Sequence, residues 1–309
     1  MLEGVVIKRG YPLIRQKFNG LADYIALLRP LTILPVIIVS LFGILFQLIH
    51  YNQVYLFLEK WNVIIYVAIT LALAQGVGQI VNQACEVELD IINGKRYRPI
   101  PSGRISREEA FGFALLLTFF CIGRAFTINL EFGLLMMAIL FFSIFYTLKP
   151  LYIKRFFILN ILWISISRGL LAMLAIWSVF GNIADLYPYI FGLIATSWCL
   201  SFNWSKDFPD VKGDKMFGIK TFPVVLGVRK AQKLYTYMSI LPFITMTVFT
   251  LIFLPLKYLL LIPILAPFAI LSVKWIRVES QICENNLGWL MFYLGLGVYY
   301  IVLPIIEVI

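Results

Sequence analysis

Histidine is almost missing from this chain: His50 is the only one among 309 residues. The four cysteines, Cys85, Cys121, Cys199 and Cys283, show no CxxC spacing, so no His/Cys zinc site can be assembled and any metal must use oxygen ligands. Thiols in or against apolar segments read as packing residues. Charge is scarce too: charged residues make up 14% of the chain against 61% hydrophobic ones, a composition that excludes an ordinary soluble domain. Residues 1–24 lack the continuous apolar core of a signal peptide and read as a cytoplasmic N-terminal arm. Within it, Leu13, Ile14, Phe18, Leu21 and Ile25 predict an interfacial helix with Arg15 and Lys17 on its wet side.

What the chain has in abundance is long apolar runs, and its mean hydropathy is +0.90. Stretches at roughly 31–49, 63–84, 109–128, 131–147, 158–180, 187–206, 234–254, 257–276 and 286–306 are long enough to span a bilayer. The expected architecture is an all-α membrane protein of about nine transmembrane helices, with residues 1–309 forming one integral-membrane domain. The runs at 131–147, which is short, and 187–206, which carries Ser201 and Asn203, are the weakest of the set. A net charge of +10 would suggest nucleic acid for a soluble protein, but here the basic residues sort by side instead. With nine spans only Lys60 and Lys257 fall on one face, and Arg124 and Arg168 fall inside spans. All the other lysines and arginines lie on the opposite face, which the positive-inside rule makes cytoplasmic. The lipid bilayer is therefore the expected partner, with no nucleic acid and no obligatory protein.

Two acidic clusters sit at the ends of apolar runs on that basic face: Asn82, Glu86 and Asp90, then Asn203, Asp207, Asp210 and Asp214. A carboxylate at the centre of a bilayer helix costs roughly 2.5–3.5 kcal/mol, so five beside hydrocarbon call for a cation, a cavity or partners. The first set is spaced i, i+4, i+8, which keeps it on one face of a continuous helix, and the second shares a face if its helix continues. Two such faces opposed across a cavity suit Mg²⁺, a hard cation that takes carboxylate oxygens. The plainer alternative is solvated loop carboxylates paired with nearby lysines, the reading that fits Glu88.

A basic loop punctuated by Gly or Pro follows each cluster: residues 94–104, with Lys95, Arg98 and Arg104, and residues 213–221, with Lys215 and Lys220. Acid followed by base is a diphosphate pattern, in which metal neutralises phosphate oxygens and Arg or Lys clamps the rest. A third basic cluster contains Tyr146, Lys149, Lys154 and Arg155. Tyr146 offers a phenolic proton to a leaving oxygen and Lys154 takes phosphate charge, or both belong to an interfacial belt.

Together these motifs resemble the UbiA-type intramembrane prenyltransferases. Asn82-Gln83-Ala84-Cys85-Glu86-Val87-Glu88-Leu89-Asp90 resembles the family's N-D/Q-x-x-D-x-x-x-D, and Arg98-Pro99-Ile100-Pro101-Ser102-Gly103 its basic loop. Lys206-Asp207-Phe208-Pro209-Asp210-Val211-Lys212-Gly213-Asp214 resembles its second motif, and the segment from Tyr146 to Lys154-Arg155 its Tyr/Lys motif. Glu86 departs from the pattern, standing where the family usually has Asp, which leaves its direct ligation less secure than that of Asp90. The resemblance implies helices around a central cavity, Mg²⁺-assisted ionisation of a polyprenyl diphosphate such as geranylgeranyl diphosphate, and transfer to a small acceptor. It implies catalytic roles for Asn82, Asp90, Tyr146, Asp207, Asp210 and Asp214, and metal ligation by Glu86, Asp90, Asp210 and Asp214. It also implies diphosphate contacts from Asn82, Arg98, Tyr146, Lys149, Lys154 and Lys206.

The segments Lys206 to Asp210, and Lys154 to Asn160 with Ser167-Arg168-Gly169 after it, look most like the homogentisate-type branch, which makes prenylated quinones. The 98–106 loop looks equally like enzymes that add a second geranylgeranyl chain to glyceryl phosphate ethers, or like chlorophyll synthases. Haem-farnesylating members fit poorly, because their Met-x-Arg-Thr run after the first motif is missing. A phosphate-bearing acceptor needs a further basic site, for which Arg29 and Arg104 are the candidates. Outside the class, a Mg²⁺-coupled or proton-coupled transporter would place its acidic residues near span midpoints, whereas these lie at span ends.

Overall fold

The computed structural model describes residues 20–279 and 284–309, all of its secondary structure helical. The predicted interfacial helix lies outside the described residues except at its end, where Leu21–Leu28 is helical. Nine longer rods follow in chain order. They are α1 (Pro30–His50), α2 (Trp61–Cys85), α3 (Arg107–Phe126), α4 (Leu130–Phe145), α5 (Leu159–Trp177), α6 (Leu186–Phe202), α7 (Val228–Phe253), α8 (Leu256–Val278) and α9 (Leu287–Val308). Seven of these are long and apolar enough to cross a membrane. The exceptions are α4, with 16 residues, and α6, with 17, so nine spans are not confirmed. They are the two weakest runs in the sequence.

Local chemistry sets the boundaries. Pro30 opens α1 from the first turn, where its missing N–H has no partner to lose. Ser106 and Glu109 form a reciprocal capping box on α3, and the Asn129 and Asn286 side chains accept the backbone N–H groups of Phe132 and Trp289 to start α4 and α9. Rod α7 steps at Ser239 and Ile240, just before Pro242, which cannot continue an N–H ladder.

The expectation that each acidic cluster rides one continuous helix is corrected. Rod α2 ends at Cys85, Glu86 takes φ −113° and ψ 31°, and a separate short helix covers Val87–Ile92. After α6 the chain tightens into a 3₁₀ turn at Asn203–Asp207 and restarts as Val211–Met216. Pro209 has no N–H to carry a helix through that point. Both breaks redirect carboxylates that a straight helix would have stacked along one stripe.

Rod α1 packs against α9 and α2, α2 against α3 and α4, and α6 against the middle of α5. That middle, Ser167–Leu171, is a π-helical turn. A Cβ on Gly169 would come within 2.3 Å of the Thr196 backbone nitrogen, so the turn seats on α6 only because position 169 has no side chain. Outward faces of α3 and α7 carry exposed Leu115, Leu116, Phe119, Leu251, Ile252 and Phe253, the solvent-facing pattern of a multi-pass membrane protein, since lipid costs these side chains nothing.

Gly169→Ala should lower the unfolding temperature in detergent by several degrees, the consequence of overpacking worth about 1–3 kcal/mol. Gly112→Ala, where nothing lies within 4 Å, should leave it unchanged or raise it. Equal effects of the two would contradict the packing described.

Candidate active site

One face of α2 grades from oil to charge. Leu71, Gln75, Gln79 and Asn82, followed by Glu86 just past the helix end, recur at three- and four-residue spacing, and all line one of two adjoining cavities. The polar cavity, about 110 Å³, is lined at its charged end by Asn82, Glu86, Asp90, Lys95, Arg98, Lys154, Lys206 and Asp210. The apolar cavity, about 70 Å³, is walled by Pro35, Val36, Val39, Leu71, Ile139, Ala172, Phe292 and Leu296. Thr32, Gln75, Ser143, Ser167, Arg168 and Tyr293 line both and form a collar where they meet.

The two acidic clusters are brought face to face, and two lysines join them. Lys95 Nζ stands 2.5 Å from Asp210 and 4.0 Å from Asp90, one carboxylate from each cluster. Lys154 Nζ repeats the arrangement, 2.7 Å from Glu86 and 3.5 Å from Asp214. Like charges this close could not stand unpaired in a buried site, and each lysine supplies the balance. The plain alternative of lysine-paired carboxylates is thus half right: they are paired, but not solvated, since Asp90 is 2% exposed and Asp214 fully buried. Glu88 is exposed and pairs with Arg107.

Backbone contacts fix the opposition. Asn93, three residues beyond Asp90, accepts from the Gly213 N–H at 2.8 Å and donates to Asp210 at 3.3 Å. A Cβ on Gly213 would press within 2.7 Å of that Asn93 side chain, which explains a glycine in the second motif. The loop from Tyr146 closes on itself through a 2.8 Å bond from Lys154 N–H to the Tyr146 carbonyl. That closure sets Lys154 beside the carboxylates and leaves Lys149 exposed, outside the cavity lining.

Electrostatics follow the pairing. Burial pulls Lys154 down, but Asp214 and Glu86 outweigh it and hold its ammonium well above the usual lysine value. Burial also pushes Asp214 up to about 7, with Lys154 opposing and Asp210, Asp207 and Glu86 adding. Asp210 goes the other way, because Lys95 and then Lys154 overcome its burial.

The remaining candidates divide. Asn82 donates to Glu86 at 3.0 Å. Arg98 donates to Asp90 at 2.6 Å and also to Glu284. Lys206 donates to the Tyr146 hydroxyl at 3.1 Å and to Asp207 at 2.7 Å. Asp207 and Asp214 stand behind these lysines and do not line the cavity. Arg29, at φ 55° in a backbone region costly for a side-chain-bearing residue, lines it and donates to Gln79, Glu284 and Asn285. Arg104 does not; it pairs with Asp23 at 2.8 Å and ties the Leu21–Leu28 helix to the 98–105 loop.

Among the described residues no three Asp, Glu, His or Cys side chains are gathered tightly enough to hold a metal ion as they stand. The donor set nevertheless fits a hard cation: its ligating atoms are oxygens, and Glu86 Oε1 and Asp214 Oδ1 are buried without a hydrogen-bond partner. Glu86, longer by a methylene than aspartate, uses its other oxygen to reach Lys154 and Asn82. Gln75, Gln79 and Glu284 were not singled out by the sequence, and Lys95 was named only as part of its basic loop. The glutamines were legible in the α2 spacing, whereas a lone loop carboxylate at 284 carries no periodic signal.

A sequence model of the UbiA prenyltransferase family matches residues 57–296. Digeranylgeranylglyceryl phosphate synthase of Methanosphaera stadtmanae is 30% identical over 276 residues, covering 85% of this chain and 90% of that protein. Protoheme IX farnesyltransferase 2 of Nitrobacter winogradskyi is 29% identical over 211 residues, 67% of this chain, and the match spans only 64% of that relative's length. A solved UbiA homolog from Archaeoglobus fulgidus, bound to GPP and Mg²⁺, superposes with a TM-score of 0.70 at 17% identity, covering 93% of this chain and 100% of that one. At such identity the likeness speaks for the fold alone.

Lys154→Met strands two buried carboxylates, and breaking a buried pair costs about 3–5 kcal/mol. Asp214→Asn in the same chain should restore part of that loss. Thermal unfolding of the single and double variants measures it, and a double variant no more stable than Lys154→Met would contradict the bridge.

Proposed function

This chain belongs to the UbiA prenyltransferase family, and from that premise we propose that it transfers the prenyl group of a prenyl diphosphate to an acceptor, with Mg²⁺ assisting. The observation that carries the reading is the adjoining pair of cavities. A charged chamber lined by Asn82, Glu86, Asp90 and Asp210 shares a polar collar with a hydrocarbon-lined one, a pairing that suits a molecule with a diphosphate head and an isoprenoid tail. In the transfer, the bond between the allylic carbon and the diphosphate oxygen breaks and the diphosphate leaves with the electron pair. A bond then forms from the acceptor nucleophile to that carbon as the acceptor gives up a proton.

Each group in the chamber has a place in that exchange. Asn82, Glu86, Asp90 and Asp210 would hold Mg²⁺, with Asp214 behind them, and the ion when bound neutralises phosphate oxygens and stabilises the leaving diphosphate. Arg98, Lys95, Lys154 and Lys206 supply charge-assisted hydrogen bonds to the remaining oxygens. The Tyr146 hydroxyl already accepts from Lys206, which leaves its own proton free for a leaving oxygen. The apolar chamber holds the chain and excludes water, while the faces of Phe142, Tyr146 and Tyr293 stand by for developing allylic charge. The positive-inside rule supports a cytoplasmic placement of this chamber, because the basic loops border it.

For the acceptor we favour a glyceryl phosphate ether, because the Methanosphaera relative so named matches nearly end to end. An aromatic quinone precursor is the second reading, supported by the likeness of Ser167-Arg168-Gly169 and Lys206 to Asp210 to the homogentisate-type branch. Neither relative named above is a quinone-pathway enzyme, so that reading rests on the motifs.

Purified protein should release diphosphate from geranylgeranyl diphosphate and an acceptor only with Mg²⁺. Asp90→Ala and Asp214→Ala should each lower kcat by about 100-fold or more, the scale of lost transition-state charge stabilisation. Retained turnover in both variants would sink the metal assignment. An acceptor panel of geranylgeranylglyceryl phosphate, homogentisate, 4-hydroxybenzoate and protohaem should rank the first highest, and a preference for homogentisate would move the assignment to the second reading.

A further inference from the structure

Every cation lining the polar cavity, apart from Arg168, is paired with a carboxylate. Arg168 Nη1 donates to Asn203 Oδ1 at 2.7 Å and to the Tyr293 hydroxyl at 3.0 Å, both neutral groups. Its other nitrogens have no acceptor among the described residues. Arginine cannot shed its proton, so midway along a membrane-spanning rod it keeps a full charge and unspent donors. That is the condition of a group built to meet an anion.

Its position says which anion. Arg168 belongs to the collar and lines both cavities, at the level where a diphosphate head would give way to its isoprenoid tail. The carboxylate end of the chamber already has its own lysines and Arg98 for the diphosphate. The reacting carbon would lie next to the diphosphate at this collar, so the acceptor must approach there. The backbone holds the guanidinium in place: Arg168 sits in the π-helical turn, Gly169 lets that turn lie flat on α6, and the Leu170 N–H donates to Thr196 Oγ1 at 2.9 Å. π-Turns within helices are frequent at functional sites because they re-aim one side chain.

Resting on the prenyl-transfer reading, we infer that Arg168, oriented by Asn203 and Tyr293, is the recognition site for an anionic group of the acceptor, a phosphate or a carboxylate. Both favoured acceptor classes carry such a group. The bond it makes to a fixed guanidinium fork would hold the nucleophile over the allylic carbon and reject acceptors without the charge.

Binding to purified protein in detergent tests this with two matched pairs: geranylgeranylglyceryl phosphate against geranylgeranylglycerol, and homogentisate against its methyl ester. A prenyl thiolodiphosphate with Mg²⁺ serves as the donor probe. In the unmodified protein the anionic member of at least one pair should bind about tenfold or more tighter than its neutral partner, and the pair that shows it tells phosphate from carboxylate. R168Q should erase that preference while leaving the donor probe within about twofold, and R168K should keep part of it, because a point charge replaces the fork. Three results would overturn the assignment: no anion preference in the unmodified protein, a preference that survives in R168Q, or a loss of donor-probe binding in R168Q as large as the acceptor loss. Turnover assayed in parallel judges the prenyl-transfer reading separately, since absent turnover with the anion preference intact strikes that reading and leaves the Arg168 site standing.

Discussion

Everything in the chamber depends on one constraint: two sets of carboxylates, drawn from distant parts of the chain, must face each other where water is scarce. Alone they would repel and protonate. Lys95 and Lys154 resolve this by each touching one carboxylate of either set, so the charge balance is built symmetrically across the cavity. The direction of each group's proton affinity follows, with Lys154 held well above the usual lysine value, Asp210 held below the usual carboxylate value and Asp214 driven upward by burial and the neighbouring carboxylates against the pull of Lys154. A hard cation and a diphosphate together satisfy the same balance, the cation serving the carboxylates and the diphosphate receiving the lysines.

From this constraint the rest of the architecture gains its logic. The rods α1, α2, α4, α5 and α9 contribute the cavity walls, while α3 and α7 turn apolar surface outward. Along α2 the lining passes from Leu71 through Gln75 and Gln79 to Asn82, and on to Glu86 just past its end, so one helix face carries most of the transition from tail to head. The breaks after Cys85 and Phe202 release the carboxylates from helical stripes and let Asn93 and Gly213 lock the two loops together.

How much of this the sequence disclosed follows from what periodicity encodes. Apolar runs located all nine rods because a bilayer demands about 20 apolar residues whatever their partners. The two weakest runs, 131–147 and 187–206, became the two helices too short to meet that demand. The site was legible where one helix carried it, as in Asn82 and, at that helix's C-terminal boundary, Glu86. It was obscured where the backbone turned: nothing in the run from Tyr146 to Arg155 reveals that a hydrogen bond back to Tyr146 selects Lys154 and leaves Lys149 outside. Arg104 and Arg29 looked alike as basic candidates, and only packing sent one to Asp23 and the other to the cavity. Glu284 and the uncommitted state of Arg168 are three-dimensional facts, created by segments far apart in the chain.

The claim that these clusters form one cation and diphosphate chamber is tested most directly by locating the cation. Crystals grown with Mn²⁺ and a non-hydrolysable prenyl diphosphate should give an anomalous peak between the side chains of Glu86 and Asp90 on one side and Asp210 on the other, with the isoprenoid tail running past the collar toward Leu71 and Phe292. A diphosphate held by the basic residues with no manganese between the clusters, or manganese bound elsewhere, would contradict the account.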